Sequence, residues 1–369
     1  MRDGHEPRDY LRASAAFAII GFAAVWLWVV LAPMAFLDPE YGAWLAKEHF
    51  LARCDLGNIV VVGDSRAAAD IEPALLPGRI TNLALGGGEP IEAYVALRRA
   101  LACPNPPRRV VISFGAGHFV RPDLFWERSV GYGFLGFSDL EELRRVSRSL
   151  GDESIYAKPS VDGLPPRLRA ALYALHFPSL YFGSLLHGGV FLRIWQNEAA
   201  LSRATESRGQ YFFGTAPGAS IVAIEGHLSA FQPLPILDWY FDQMLALLAV
   251  RGIEADFVAT PMNEATWRSV RPDVREDFAA YLARYAERYP NLHIIGPVMP
   301  HWPDRYFGDA FSHLNPEGAS HFSQAFAAWL GGETPIVTAG QQAGRSVPLR
   351  GASPRTVPVS FEPEGDLNE

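Results

Sequence analysis

Five short apolar runs spaced along the chain constrain its fold more than any other feature. They are "NIVVVG" after Gly57, "RITNLAL" after Gly78, "RVVISFG" after Arg108, "IEADFVAT" at 253–260 and "NLHIIG" after Pro290. Each is of strand length and largely apolar, with the valine-rich first and third runs the clearest, which suits a strand covered on both faces. Stretches with apolar residues at helical spacing lie between them, including 89–102, "REDFAAYLARYAERY" and the closing "NPEGASHFSQAFAAWL". Strands alternating with helices predict a parallel sheet with helices on both sides. Right-handed crossovers wind such a sheet into an α/β/α sandwich.

A long interruption, about residues 119–235, separates the third run from the fourth and is rich in Phe, Tyr, Gly and His. It follows the carboxyl end of a strand, where a doubly wound sheet holds its ligand. It therefore reads as a helical insertion that forms a lid or docking surface, or packs as a subdomain on the side. Within it, residues 179–195 are apolar but broken by Gly183, His187, Gly188, Gly189 and Arg193. They read as a buried or interfacial helix pair, not a membrane span. From Gly332 to residue 369 the chain is rich in Pro, Gly, Ser and Gln without apolar period, and a disordered tail is expected.

Residues 13–37 carry no charge. A membrane-crossing helix needs about 20 such residues, and a cleaved signal has an apolar region of only about 7–15. An uncleaved, single-pass anchor over 1–37 is expected, with Trp26 and Trp28 mid-span. A stalk helix over 38–54 follows, standing on the bilayer, and the folded domain spans 55–331. Arg2, Arg8 and Arg12 precede the span, which places the N-terminus in the cytoplasm and the domain outside it. Cys54 and Cys103 lie just ahead of the first and third strands; they form a disulfide in an oxidising compartment, or are two free or buried thiols. The net charge of −8, without a basic stripe, argues against a nucleic-acid partner. The remaining histidines are scattered and the cysteines lack metal-ligand spacing, so no metal or cofactor is expected.

The carboxyl ends of the strands carry the chemistry. The first ends in Gly63-Asp64-Ser65-Arg66, the second in Gly86-Gly87-Gly88, the third in Gly115-Ala116-Gly117-His118, and the fourth in Thr260-Pro261-Met262-Asn263. Beyond the fifth come Asp309, His313 and Asn315. A parallel sheet puts all of these on one rim. A serine hydroxyl becomes a nucleophile once a base takes its proton, and His313 is the candidate base with Asp309 to orient it. The Ser65 amide and the Gly86 or Gly87 amide are candidate oxyanion donors. Taken singly, Ser65 is equally a helix cap, His313 a packing residue and the glycines turn residues. Arg66 either pairs with Asp64 or Glu72, or binds a substrate carboxylate or sugar hydroxyl.

These segments resemble the SGNH (GDSL-type) hydrolase superfamily over about residues 55–331, less the insertion. "VVVGDSR" is similar to its first block, with Ser65 in the nucleophile position. "NLALGGGEP" is similar to the second, with Gly86 or Gly87 supplying an oxyanion amide. "DAFSHLNPEGA" resembles the last, with Asp309 and His313 as the base pair. The resemblance implies a flavodoxin-like α/β/α sandwich. Two departures stand out. Gly117 occupies the place of the third block's asparagine, leaving His118 or Asn263 as substitute donors or substrate contacts. Asp309 stands four residues before His313 where the family spaces them by three.

With the anchor, the chain looks like the membrane-anchored SGNH-like proteins of polysaccharide O-acylation. The resemblance implies an O-acyltransferase, acetyl in the usual case, held at the cytoplasmic membrane with its domain in the periplasm. A polytopic membrane acyltransferase would supply the acyl group, and a cell-surface or exported polysaccharide would receive it. Two alternatives share the same residues: an anchored esterase or deacetylase, and a catalytically degraded scaffold in a polysaccharide export complex.

Overall fold

Val60, Val61 and Val62 are fully buried, and they alternate between two faces: Val60 and Val62 enter one hydrophobic cluster and Val61 the other. This is the two-residue period of a strand, and β-branched side chains suit it. Val110, Val111 and Ile112 repeat the pattern. The computed structural model describes residues 6–122, 124–155, 165–177, 189–309 and 312–330. It begins with helices α1 (Glu6–Leu31), α2 (Pro33–Phe36) and α3 (Tyr41–Ala52), then β1 (Ile59–Gly63), α4 (Ser65–Asp70), β2 (Ile80–Asn82), α5 (Pro90–Ala100) and β3 (Arg109–Ser113). The insertion carries α6 (Phe137–Leu150), α7 (Pro166–Ala174) and α8 (Val190–Glu206). The remainder is α9 (Pro235–Val250), β4 (Glu254–Val258), β5 (Met262–Asn263), α10 (Glu264–Ser269), α11 (Pro272–Arg288), β6 (Leu292–Ile295), β7 (His301–Trp302) and α12 (Pro316–Leu330).

β2-β1-β3-β4-β6 form a five-stranded sheet in that order, every pair parallel. Its strands fall in the five apolar runs. β5 and β7 form a separate parallel pair of two residues each, too short to leave a pattern in the sequence. One face of the sheet is covered by α3, α5, α9 and α11, the other by α4 and α12.

Residues 38–54 are not a surface stalk. Trp44, Ala46, Phe50 and Leu51 of α3 belong to the main core, and Lys47 is 2% exposed, donating to the carbonyls of Asn82 and Gly209. Burial pushes the Lys47 ammonium down to about 7. The buried Asn197 of α8 accepts from the Gly42 amide at 2.9 Å and donates to Met34 and Leu37 carbonyls at 3.0 and 3.2 Å. A helix buried on most sides shows no single apolar stripe, which is why its sequence reads as peripheral. The folded unit therefore begins at α2, not at residue 55.

α1 is one helix long and apolar enough to cross a membrane, over Pro7–Leu31, and it is largely unburied. It stops before Pro33, six residues short of the expected end, and α2 folds back into the domain with Phe36 buried. Trp26 and Trp28, expected mid-span, lie in the last two turns of α1. Trp26 Nε1 donates to the Leu175 carbonyl at 2.8 Å, and Phe177 packs on Phe22 and Trp26. The proposed helix pair at 179–195 falls mostly on residues 178–188, outside the described residues, with α8 beginning at Val190. The tail expected over 332–369 also lies outside them.

Cys54 and Cys103 form a disulfide, with Cα atoms 5.6 Å apart and a sequence separation of 49. They lie ahead of β1 and β3, which are neighbours, so parallel pairing brings the thiols together. Closing a loop of that length removes about 4 kcal/mol of denatured-state entropy. Cys103→Ala is expected to lower the unfolding free energy by about 2–4 kcal/mol in urea titrations. Reductant should weaken the wild type equally and leave the variant unmoved.

Candidate active site

The chain reverses direction in the sheet order between β1 and β3, and a doubly wound sheet opens its ligand crevice at such a point. β1 ends at Gly63, where a Cβ would collide with the Ser113 carbonyl of β3, so the close approach of the strands requires glycine. Asp64 then caps α4, accepting from the amides of Arg66 at 2.9 Å and Ala67 at 3.3 Å. Its other oxygen accepts from the Gly115 amide at 2.8 Å and lies 3.3 Å from His118 Nε2. Burial raises the Asp64 carboxyl, but His118, Arg66 and these amides outweigh it and hold the group below the usual carboxylate range. Asp64, not Ser65, is thus the helix cap. Ser65 is the first residue of α4, half-buried, and its hydroxyl makes no hydrogen bond among the described residues.

His313 lies ahead of α12, whose Asn315 cap accepts from the Gly318 amide at 3.0 Å. The Asp309 carboxylate meets His313 twice, at Nδ1 (2.6 Å) and at the backbone amide (3.2 Å). The four-residue spacing therefore places the acid on the ring. Phe213 stacks on the imidazole with ring centres 4.4 Å apart. Ser312, just before it, has φ +62°, a left-handed conformation that costs a non-glycine residue energy and recurs at functional sites. Behind the histidine, the Leu314 amide donates to buried Asp70 at 2.9 Å, and burial raises the Asp70 carboxyl well above its usual range.

Ser65, Arg66, Gly87, Gly117, His118, Asp309 and His313 line one cavity of about 780 Å³. No hydrogen bond joins Ser65 to His313; in free enzymes such bonds are often long and close with substrate. Gly87 faces the cavity with φ +72°, a conformation glycine adopts freely, whereas Gly86 lines a small recess behind it with Trp44 and Lys47. Arg66 forms a buried ion pair with Glu225 and lies 4.0 Å from Asp64, so its charge is matched within the protein. His118 is engaged with Asp64. Asn263 is not a site residue. It is fully buried, caps α10 by accepting from the Thr266 amide at 2.8 Å, and donates to the Ala219 and Ile221 carbonyls. At Gly117, an added Cβ would come 2.5 Å from Ile224 Cγ2, so the insertion fills the space a side chain there would need.

The insertion builds the cavity walls with Arg121, Leu124, Arg128, Phe213, Ile221–Glu225 and His227, and α3's cap residue Glu40 joins them. Sequence reasoning missed these residues, because no motif surrounds them. Glu40 accepts from Arg128 Nη2 at 2.7 Å. Burial, opposed by Arg128, pushes its carboxyl up to about 7. Among the described residues, no group of three or more His, Cys, Asp or Glu is placed to hold a metal ion. No protein-family model matches the chain, and no curated protein matches it either.

Proposed function

We propose that the chain is a membrane-anchored O-acyltransferase of SGNH type, acting through a Ser65 acyl-enzyme. The observation that carries this reading is the Asp309-His313 pair, 2.6 Å from oxygen to Nδ1, on the same cavity as Ser65 and Gly87. The strand order, read along the five central strands, supports a flavodoxin-like sandwich. Ser65 Oγ attacks the carbonyl carbon of an acyl donor and passes its proton to His313 Nε2, while Asp309 steadies the imidazolium. The carbonyl electron pair moves to oxygen, and the Ser65 and Gly87 amides donate hydrogen bonds to that oxyanion. Collapse expels the donor's leaving group with the proton from His313. A sugar hydroxyl then attacks the acyl-serine and gives its proton to His313; the acyl–Oγ bond breaks, His313 returns the proton to Ser65 Oγ, and the sugar leaves as the ester.

α1 anchors the domain in the cytoplasmic membrane, with the N-terminus inside and the catalytic domain in the periplasm. The disulfide supports an oxidising compartment. A polytopic membrane acyltransferase delivers the acetyl group, and a cell-surface or exported polysaccharide accepts it. The test is to incubate the full chain with an activated acetyl ester, with and without an oligosaccharide acceptor. O-acetylated sugar as the main product supports the transferase. Acetate release that ignores the acceptor assigns the same residues to an esterase or deacetylase.

A further inference from the structure

We propose that Arg128 supplies the side-chain oxyanion donor of this site, an inference that rests on the acyl-transfer reading above. Neither the end of β3 nor Asn263 of β5 offers such a donor. Gly117 has no side chain and Ile224 occupies its space, His118 is engaged with Asp64, and Asn263 is turned to the carbonyls of residues 219 and 221.

Arg128 reaches the same cavity from the insertion. It is carried on a π-helical turn, Phe125–Val130, a rare geometry concentrated at functional sites. Its Nη1 lies 3.2 Å and 3.3 Å from where Cβ atoms of residues 86 and 87 would stand. The guanidinium therefore covers the glycine turn closely, and any side chain at either glycine would meet it. Glu40 holds Nη2 at 2.7 Å, while Nη1 makes no hydrogen bond among the described residues. One arm of the fork is anchored and the other faces the turn that supplies the Gly87 amide. When Ser65 attacks, the carbonyl oxygen gains the electron pair of its double bond, and Nη1–H donates to it without transferring a proton. A permanently charged, preset donor is the feature that lowers such a barrier.

The experiment measures acylation of the full chain in detergent by p-nitrophenyl acetate, a neutral ester, alongside the rate of fluorophosphonate labelling. Arg128→Ala is expected to slow both by about 10²–10³-fold with KM nearly unchanged. Arg128→Lys, which keeps the charge beside Glu40, should fall less. Added methylguanidinium should restore rate to Arg128→Ala and leave the wild type unaffected, a response that a loss of folding would not give. If Arg128→Ala does not fold, the same comparison of kcat and KM on Arg128→Lys and Arg128→Gln decides. An active wild type with rates unaffected in Arg128→Ala overturns the role of Arg128 alone. So does an effect confined to KM or to anionic substrates, which would make Arg128 a substrate-binding cation. A wild type whose serine is never acylated overturns the acyl-transfer reading itself.

Discussion

Ser65→Ala is expected to abolish acyl transfer while leaving the fold intact. Removing the nucleophile of a serine–histidine site costs on the order of 10⁶-fold in turnover. Ser65 is half-buried and its hydroxyl makes no hydrogen bond among the described residues, so stability should stay within about 0.5 kcal/mol of wild type. Fluorophosphonate labelling, intact-protein mass and thermal melting check both halves. The wild type should gain one phosphonyl adduct on Ser65 and the variant none, with superimposable melts. Equal labelling of the two proteins would place the nucleophile elsewhere. A wild type that resists the probe altogether would leave a scaffold with a vestigial site as the better account.

Arg66→Met is expected to act in the opposite way, through stability rather than chemistry. Arg66 and Glu225 are buried against each other, with exposures of 3% and 0%, and Asp64 lies beside them. Removing the cation strands a buried carboxylate, a change that costs about 3–5 kcal/mol. For a domain of this size the melting temperature should fall by roughly 10 °C. Arg66→Met with Glu225→Leu should recover most of the loss, because an apolar pair of similar volume avoids burying a lone charge. A single variant as stable as wild type would show that the ion pair contributes little. The effect also has a pH sign. Asp64 is held below its ordinary carboxylate range despite burial, partly by Arg66. Its stabilising contribution is present above about pH 4 and disappears as pH falls through its folded value. The gap between wild type and Arg66→Met should therefore narrow on acidification.

Both residues come from one tetrapeptide, Gly63-Asp64-Ser65-Arg66, whose parts have separate tasks. Gly63 admits the neighbouring strand, Asp64 ties the turn to β3, Ser65 faces the cavity and Arg66 locks the insertion beneath it. From sequence, Arg66 has two readings, a structural partner or a substrate cation. It lies 4.0 Å from Asp64, one of the two partners the sequence offered, and pairs more closely with Glu225, 159 residues away, rather than with Glu72. The choice between such partners depends on how the insertion folds back, which no local pattern encodes.

Short-range physics was legible in the residues themselves. Short, largely apolar runs specified buried strands, and alternation with helical periods specified a parallel sheet, because each reports how a few consecutive side chains must be buried. Ser65 at the end of β1, the glycines after β2, and Asp309 four residues from His313 are likewise local, and parallel pairing gathers them on one rim. Tertiary structure alone decided what closes over that rim. Arg128 meets Glu40 across 88 residues, Asn197 holds Gly42 across 155, and α3 turns from stalk to core because α8 packs along it. Such contacts are selected by the shape and charge of surfaces that exist only after folding. Any of several arginines and carboxylates in the insertion satisfies the sequence pattern equally, and only packing chooses among them.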